Sequence, residues 1–215
     1  MKTKKYKLSF TAVSFMLNNT IKVAEKYNEL RDWSTVETEI IENNLLQKRT
    51  LSTAKRMFKE YKCRVQALNT EELELLLSGS FEVQKQINLL AICKTYQVIL
   101  DFIIDIVRNK YLEFNAVLKD IDFEIFLDDK SLDFPELEKL KDSTKVKLRR
   151  VVFRILDESG LITDIKSKII TPILIKDEVK NIVTKNNPEL LKIYLLADIE
   201  INNAYKHLNG AINEN

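Results

Sequence analysis

Turn-forming residues are nearly missing from this chain: 3 glycines and 3 prolines serve 215 residues, where average usage gives about 25 of the two together. A many-stranded sandwich or barrel needs such residues at its short connections. The chain is therefore expected to be mainly α. Its length allows one domain or two small ones, at roughly 100–200 residues each. With 45% apolar and 31% charged residues, it can bury a core and is not a disordered polyelectrolyte.

The scarce residues also exclude chemistry. Gly79, Gly160 and Gly210 are isolated, so neither a Rossmann fingerprint nor a P-loop can be written. The single histidine, His207, rules out a multi-histidine metal site and leaves one imidazole base. No nucleophile, base and oxyanion set can be assembled around it, so a non-enzymatic protein without a cofactor is expected. Cys63 and Cys93 form no CxxC pair and no disulfide framework, which points to a reducing, cytoplasmic setting. The pairs Asp101/Asp105 and Asp120/Asp122 lie outside any metal-loop pattern. MKTKKYKLSF is basic but leads into no clean apolar core, making a poor signal peptide. The most apolar region, Phe81 to Val107, has a longest uncharged run of eight residues, Gln86 to Cys93. A membrane span needs about 20. This region reads instead as a central helix buried among others.

Along the chain, residues 5–11 read as a short strand or extended arm, followed by a helix from Ala12 to Leu30. Asp32-Trp33-Ser34 is a break, with Ser34 as N-cap and Glu37 completing a capping box, and Trp33 as a core anchor. The next helix ends near Asn43-Asn44. Thr50 or Ser52 caps a basic helix running to about Leu68, and Asn69 starts a short helix closed by Ser78-Gly79-Ser80. Residues 113–138 hold nine acidic residues against Lys119 and Lys130, interleaved with Phe114, Phe123, Phe126 and Phe134. They form a packed connector or an acidic docking face. A boundary near residue 112 gives an N-terminal helical domain, 1–112, and a C-terminal one, 113–215. In the latter, Ser143-Thr144 opens a helix stopped by Gly160, and LITDI and KIITPILI follow as a short β-hairpin. That order is a winged helix-turn-helix. A last helix is expected from Pro188 to about Leu208. The expected fold is an N-terminal helical bundle plus a C-terminal winged-helix-like module.

Two helices concentrate positive charge. Between Lys48 and Arg64 there are seven basic residues and one acidic, Glu60, a local charge of +6. From Lys141 to Arg154 there are six basic residues against Asp142, a local charge of +5. At 100° per residue the first helix buries Leu51, Ala54, Phe58, Tyr61 and Val65 and turns Ser52, Arg56, Lys59 and Cys63 outward. The second buries Leu148, Val151, Val152 and Ile155 and presents Lys147, Arg150 and Arg154. Self-repulsion on this scale is relieved by a phosphate backbone. Both helices open on hydroxyls, Ser52-Thr53 and Ser143-Thr144, beside free backbone N–H groups. The candidate DNA-binding residues are Lys48, Arg49, Ser52, Thr53, Lys55, Arg56 and Lys59 on the first helix. On the second they are Thr144, Lys145, Lys147, Arg150 and Arg154. A protein adaptor and an RNA binder are the alternatives.

The segment Asp32 to Leu68 carries Asp32-Trp33, Glu42-Asn43, Lys48-Arg49 and Ser52-Thr53 ahead of its basic helix. It resembles the BrxA family of bacterial BREX (bacteriophage exclusion) defence systems. LDESGLI (156–162) is similar to that family's C-terminal part, and Arg64-Val65 departs conservatively from an expected Arg-Leu. The resemblance implies a small helical accessory protein without catalysis, associated with double-stranded DNA and with other BREX proteins as partners.

Overall fold

Capping chemistry sets the first helix boundaries in this computed structural model, which describes residues 6–213. A 3-10 turn (Ser9–Ala12) precedes α1 (Leu17–Leu30), so the helix expected from Ala12 starts five residues later. Helix α2 (Trp33–Glu42) is opened by Asp32, not Ser34: the Asp32 carboxylate accepts from the Thr35 N–H at 2.7 Å. Thr50 caps α3 (Leu51–Gln66), and Asn69 and Glu72 form a reciprocal capping box on α4 (Thr70–Ser78). Gly79 then lets the chain turn straight into α5 (Phe81–Thr95); a Cβ there would lie 2.5 Å from the Leu75 carbonyl oxygen and from Val83 Cγ1.

Helix α5 is buried on nearly every side, from Ile87 through Cys93, as its unbroken apolar run implies. The expected single helix from Phe81 to Val107 is interrupted at Tyr96, whose backbone is extended. It resumes as α6 (Gln97–Phe102), a π-helical turn (Ile103–Arg108) and α7 (Asn109–Leu112). The break serves the Tyr96 side chain, whose hydroxyl donates to buried Glu60 at 2.6 Å. Buried Arg108 in the π turn donates to the Leu196 carbonyl at 2.8 Å and to Asp198 at 2.9 Å. It thereby fixes the start of the last helix.

The acidic segment forms α8 (Asp120–Ser131) and the single turn α9 (Pro135–Glu138). Phe123 and Phe126 pack around Phe102, so this segment is packed into the core. Helix α10 (Asp142–Ser159) follows and stops at Gly160, whose φ of +88° is readily reached without a side chain. A seam of ion pairs joins α8 to α10 and to the loop beyond: Arg149 to Asp120 and Glu124, Lys145 to Asp128, and Lys168 to Asp120.

The C-terminal hairpin, and with it the winged-helix module, is not formed. Among the described residues there is no strand; only isolated antiparallel bridges occur, Ile162 with Ile170 and Val117 with Ile169. Three features cut the ladder short. Segment 168–170 is shared with residues 116–118, where the Leu118 N–H reaches the Lys168 carbonyl. Pro172 has no N–H to continue the pairing. Beyond it, the Gln86 side chain of α5 takes over, donating to the Leu174 carbonyl and accepting from the Lys176 N–H, both at 3.0 Å. The chain then enters α11 (Asp177–Asn186), a 3-10 turn (Pro188–Tyr194) and α12 (Asp198–Asn213). The last helix expected from Pro188 is thus split at Leu195, which sits at φ 64°. No strand forms at residues 6–8 either; Tyr6 is held by its hydroxyl to Asp101 and its N–H to Glu136.

At the centre, α3 contributes a fully buried arginine. Arg64 donates to the Val13 carbonyl at 2.7 Å and the Phe15 carbonyl at 3.1 Å, with its guanidinium 5.6 Å from the Tyr96 ring centroid. Asn88 of α5 donates to the same Phe15 carbonyl at 2.9 Å. The Val13 and Phe15 carbonyls, which have no helix to pair them, are thereby satisfied from two helices.

Arg64→Ala strands the Val13 carbonyl and opens a cavity, so a loss of about 3 kcal/mol or more is expected in urea unfolding. A loss below about 1 kcal/mol would contradict this role. Gly160→Ala meets open space, with Lys85 Nζ at 4.0 Å, so only backbone strain is expected, roughly 1 kcal/mol by thermal melting. Lys168's hydrogen bond holds Asp120 below the ordinary 3.8, and Arg108's does the same for Asp198. Carboxylates lowered on folding contribute stability above their unfolded value, lost as pH falls through the folded one. Asp120 is half-exposed and Asp198 exposed, so the effect is modest. A double Asp120→Asn, Asp198→Asn variant is expected to lose less stability than the parent between pH 4 and lower values, read from urea midpoints; an identical acid limb would refute the assignment.

Candidate nucleic-acid interface

The basic face of α3 exists because the opposite face is committed to the core. Ala54, Met57, Phe58, Tyr61 and Val65 are buried, and a helix that buries this stripe must turn Lys55, Arg56 and Lys59 to solvent. All three are exposed, as are Arg49 and Ser52, while Lys48 and Thr53 are half-buried. Two positions differ from the sequence reading. Leu51, assigned inward, is 59% exposed, because it lies in the first turn beyond the reach of the core. Arg64, counted with the basic cluster, is buried and serves the 13–15 backbone. Glu60, the cluster's one acid, is buried as well, accepting from Tyr96 and paired with Lys7 at 3.4 Å. The outward face is thus free of acid from α3 itself.

Between α2 and α3 lies an open cleft of about 650 Å³, lined by Glu37, Lys55, Arg56, Lys59, Lys62 and Cys63 among others. Lys62 was absent from the candidates, although three residues beyond Lys59 it falls on the same helical face. Its ammonium lies 5.2 Å from the Trp33 ring centroid. Trp33 stacks on Tyr27 with centroids 4.2 Å apart, so it props the wall of the cleft while packing against the core. Among the described residues, Lys48, Arg49, Lys55, Arg56, Lys59 and Lys62 take part in no ion pair. At the helix start, the Thr50 hydroxyl accepts from the Thr53 N–H and donates to the Thr53 hydroxyl.

Helix α10 divides its cations between two faces. Lys145 and Arg149 turn to α8, with Lys145 3.1 Å from Asp128. Lys147, Arg150 and Arg154 are exposed and have no ion-pair partner among the described residues. The helix begins at Asp142, one residue before the expected start. This places a carboxylate in the first turn and moves Ser143 and half-buried Thr144 inside the helix. The likeness between the two helix openings therefore ends with their sequences, since an anion site there would face Asp142. Both α3 and α10 pack on α5 and on the 3-10 turn at Ser9–Ala12.

The remaining candidates are tied down. Lys130 pairs with Asp105 at 2.9 Å, and Lys110 with Asp122 at 3.1 Å. No group of three or more metal-ligating side chains occurs among the described residues. His207 is exposed on α12, in a shallow cleft with Asp177 and Glu200. Burial pushes the Cys93 thiol well up, whereas Cys63 is half-buried at the α3 cleft. No helix among the described residues is long and apolar enough to cross a membrane.

Known proteins share this arrangement of helices. A crystal structure of an uncharacterized protein from Magnetospirillum magneticum superposes with a TM-score of 0.80 and 26% identity, covering 89% of this chain and 98% of that one. A BREX protein BrxA from Bacillus cereus (strain H3081.97) is 28% identical over 177 residues, 81% of this chain and 84% of the relative. Another, from Paramagnetospirillum magneticum (strain ATCC 700264 / AMB-1), is 30% identical over 146 residues, 68% and 73% of the two chains. The BrxA family's sequence pattern matches residues 4–187, a span that takes in the buried Arg64, the α3 cleft and the whole of α10, and the chain belongs to the BrxA family.

Proposed function

We propose that this chain is a non-enzymatic accessory protein of a BREX phage-defence system that binds double-stranded DNA through its phosphates. Family membership supports the BREX assignment, since the relatives are BREX proteins; the chain is a BREX phage-defence component. One observation carries the DNA-binding reading: α3 holds Lys55, Arg56 and Lys59 exposed at the rim of an open cleft, and among the described residues no carboxylate, Glu37 of the cleft included, is ion-paired to any of them. Elsewhere this protein pairs its cations freely, as along the α8–α10 seam. A cluster left unpaired is repulsive in isolation and is relieved by a polyanion. Lys147, Arg150 and Arg154 form a second unpaired set that a duplex could also engage.

A protein adaptor is the competing reading. It draws on Lys145 and Arg149, which already bind an acidic helix within the chain; the free basic faces would do the same with acidic surfaces of BREX partners.

Mobility shifts with duplex DNA, duplex RNA and single-stranded DNA at several salt concentrations separate these readings. About four phosphate contacts give a log–log salt slope near −3.6, or roughly 100-fold weaker binding at about 200 than at about 50 mM salt. Arg56→Glu with Lys59→Glu is expected to weaken duplex binding by about tenfold or more and to flatten the slope by roughly 1.8. Lys147→Glu with Arg150→Glu tests the second set. All four positions are exposed, so circular dichroism and melting temperature should hardly change. Unchanged DNA affinity in both folded variants, with lost association with BREX proteins, would favour the adaptor. A preference for duplex RNA would replace DNA as the ligand.

A further inference from the structure

Helix α8 buries one apolar face and leaves a second in solvent. Phe123, Phe126 and Leu127 are at most 2% exposed and belong to the core. At 100° per residue, Ile121, Ile125 and Leu132 align on the opposite side, with the cap residue Leu132 still in helical φ/ψ. They are 50%, 51% and 85% exposed. Single exposed aliphatics are ordinary, but three in line along one helix form a patch that calls for a cover. Asp128 lies on one side of this line and Asp129 on the other, both exposed; Asp128 already holds Lys145 of α10 at 3.1 Å, which leaves Asp129 as the open carboxylate. Lys130 is turned away, towards Asp105 and Asp101, so no cation from α8 neutralises the stripe. The surrounding segment, 113–138, has nine acidic residues against two lysines.

We infer that the outer face of α8 docks a cationic amphipathic helix of a protein partner. The partner's apolar line would lie on Ile121, Ile125 and Leu132, and a Lys or Arg beside it would meet Asp129, while the other side keeps the Asp128–Lys145 pair. This surface is independent of the DNA reading, because the same aspartates repel nucleic acid and anionic lipid. A second copy of this chain does not supply the ligand: α3 and α10 are its basic helices, and both spend their apolar faces on its own core.

The test titrates the full chain by fluorescence anisotropy with a labelled peptide of about 18 residues, five helical turns, with Leu on one face and Lys on the rest. A scrambled peptide of the same composition is the control. The amphipathic peptide is expected to bind about tenfold tighter or more than the scrambled one. Ile121→Ser with Ile125→Ser should erase that preference, and Asp129→Asn should weaken binding and flatten its salt dependence. If the isoleucine pair lowers the melting temperature, Leu132→Ser, at the most exposed position, replaces it. Equal affinity for the two peptides, or a preference that survives these substitutions, would overturn the inference. So would a dimer in sedimentation that the isoleucine substitutions dissociate, because the occupant would then be a second copy.

Discussion

A guanidinium with no carboxylate partner among the described residues sits at the centre of this protein. Arg64 is fully buried and bonded to the carbonyls of Val13 and Phe15, and the residues around it follow from that. Burying a charge is costly without hydrogen-bond partners, and with Nε left unpartnered the two carbonyls of the irregular segment 13–15 are what Arg64 depends on. Tyr96 must turn its ring towards the guanidinium, which breaks the central helix and lets its hydroxyl reach Glu60. The same irregular segment reaches α10, where the Phe15 N–H donates to Glu158. Three helices, α3, α5 and α10, are thereby keyed to one short stretch of backbone.

That key explains where the remaining charge goes. With Arg64 and Glu60 taken inside, the charged side chains that α3 turns fully outward, Lys55, Arg56 and Lys59, are all cations. On α10, the cations facing α8 are neutralised by Asp120, Glu124 and Asp128, and those facing solvent are not. The nearly balanced total of 34 basic and 32 acidic residues thus conceals a sorted surface. Unpaired cations mark the α3 cleft and one side of α10, and an exposed carboxylate, Asp129, borders an apolar line on α8. Opposite surface chemistries on one small scaffold suit a protein that joins a polyanion to a protein partner.

Much of the helical order was legible in the sequence, because caps and glycine stops are local. Thr50, the Asn69/Glu72 box and Gly160 act where the chain itself places them. The exposed face of α3 could be read because helical periodicity assigns inside and outside with few exceptions. What could not be read was set by distant partners. The hairpin failed because Gln86, far away in sequence, captures the backbone beyond Pro172. Arg64 looked like one more surface cation, since nothing near it in sequence tells of Val13 and Phe15. Lys145 looked free until α8 was seen beside it. Counting charge along a helix overstates a binding face wherever tertiary contacts have already used the charge.

Cys63 lines the α3 cleft, and Cys93 is buried, so this protein carries its own probe of the central claim. A DNA duplex bearing a disulfide-activated thiol tether on one phosphate would be incubated with the folded chain and analysed by non-reducing electrophoresis. Phosphate contact at the α3 cleft predicts a cross-link that forms through Cys63 and disappears in Cys63→Ser. A duplex that binds but leaves Cys63 free, and is trapped instead by Arg150→Cys in a Cys63→Ser background, would contradict it.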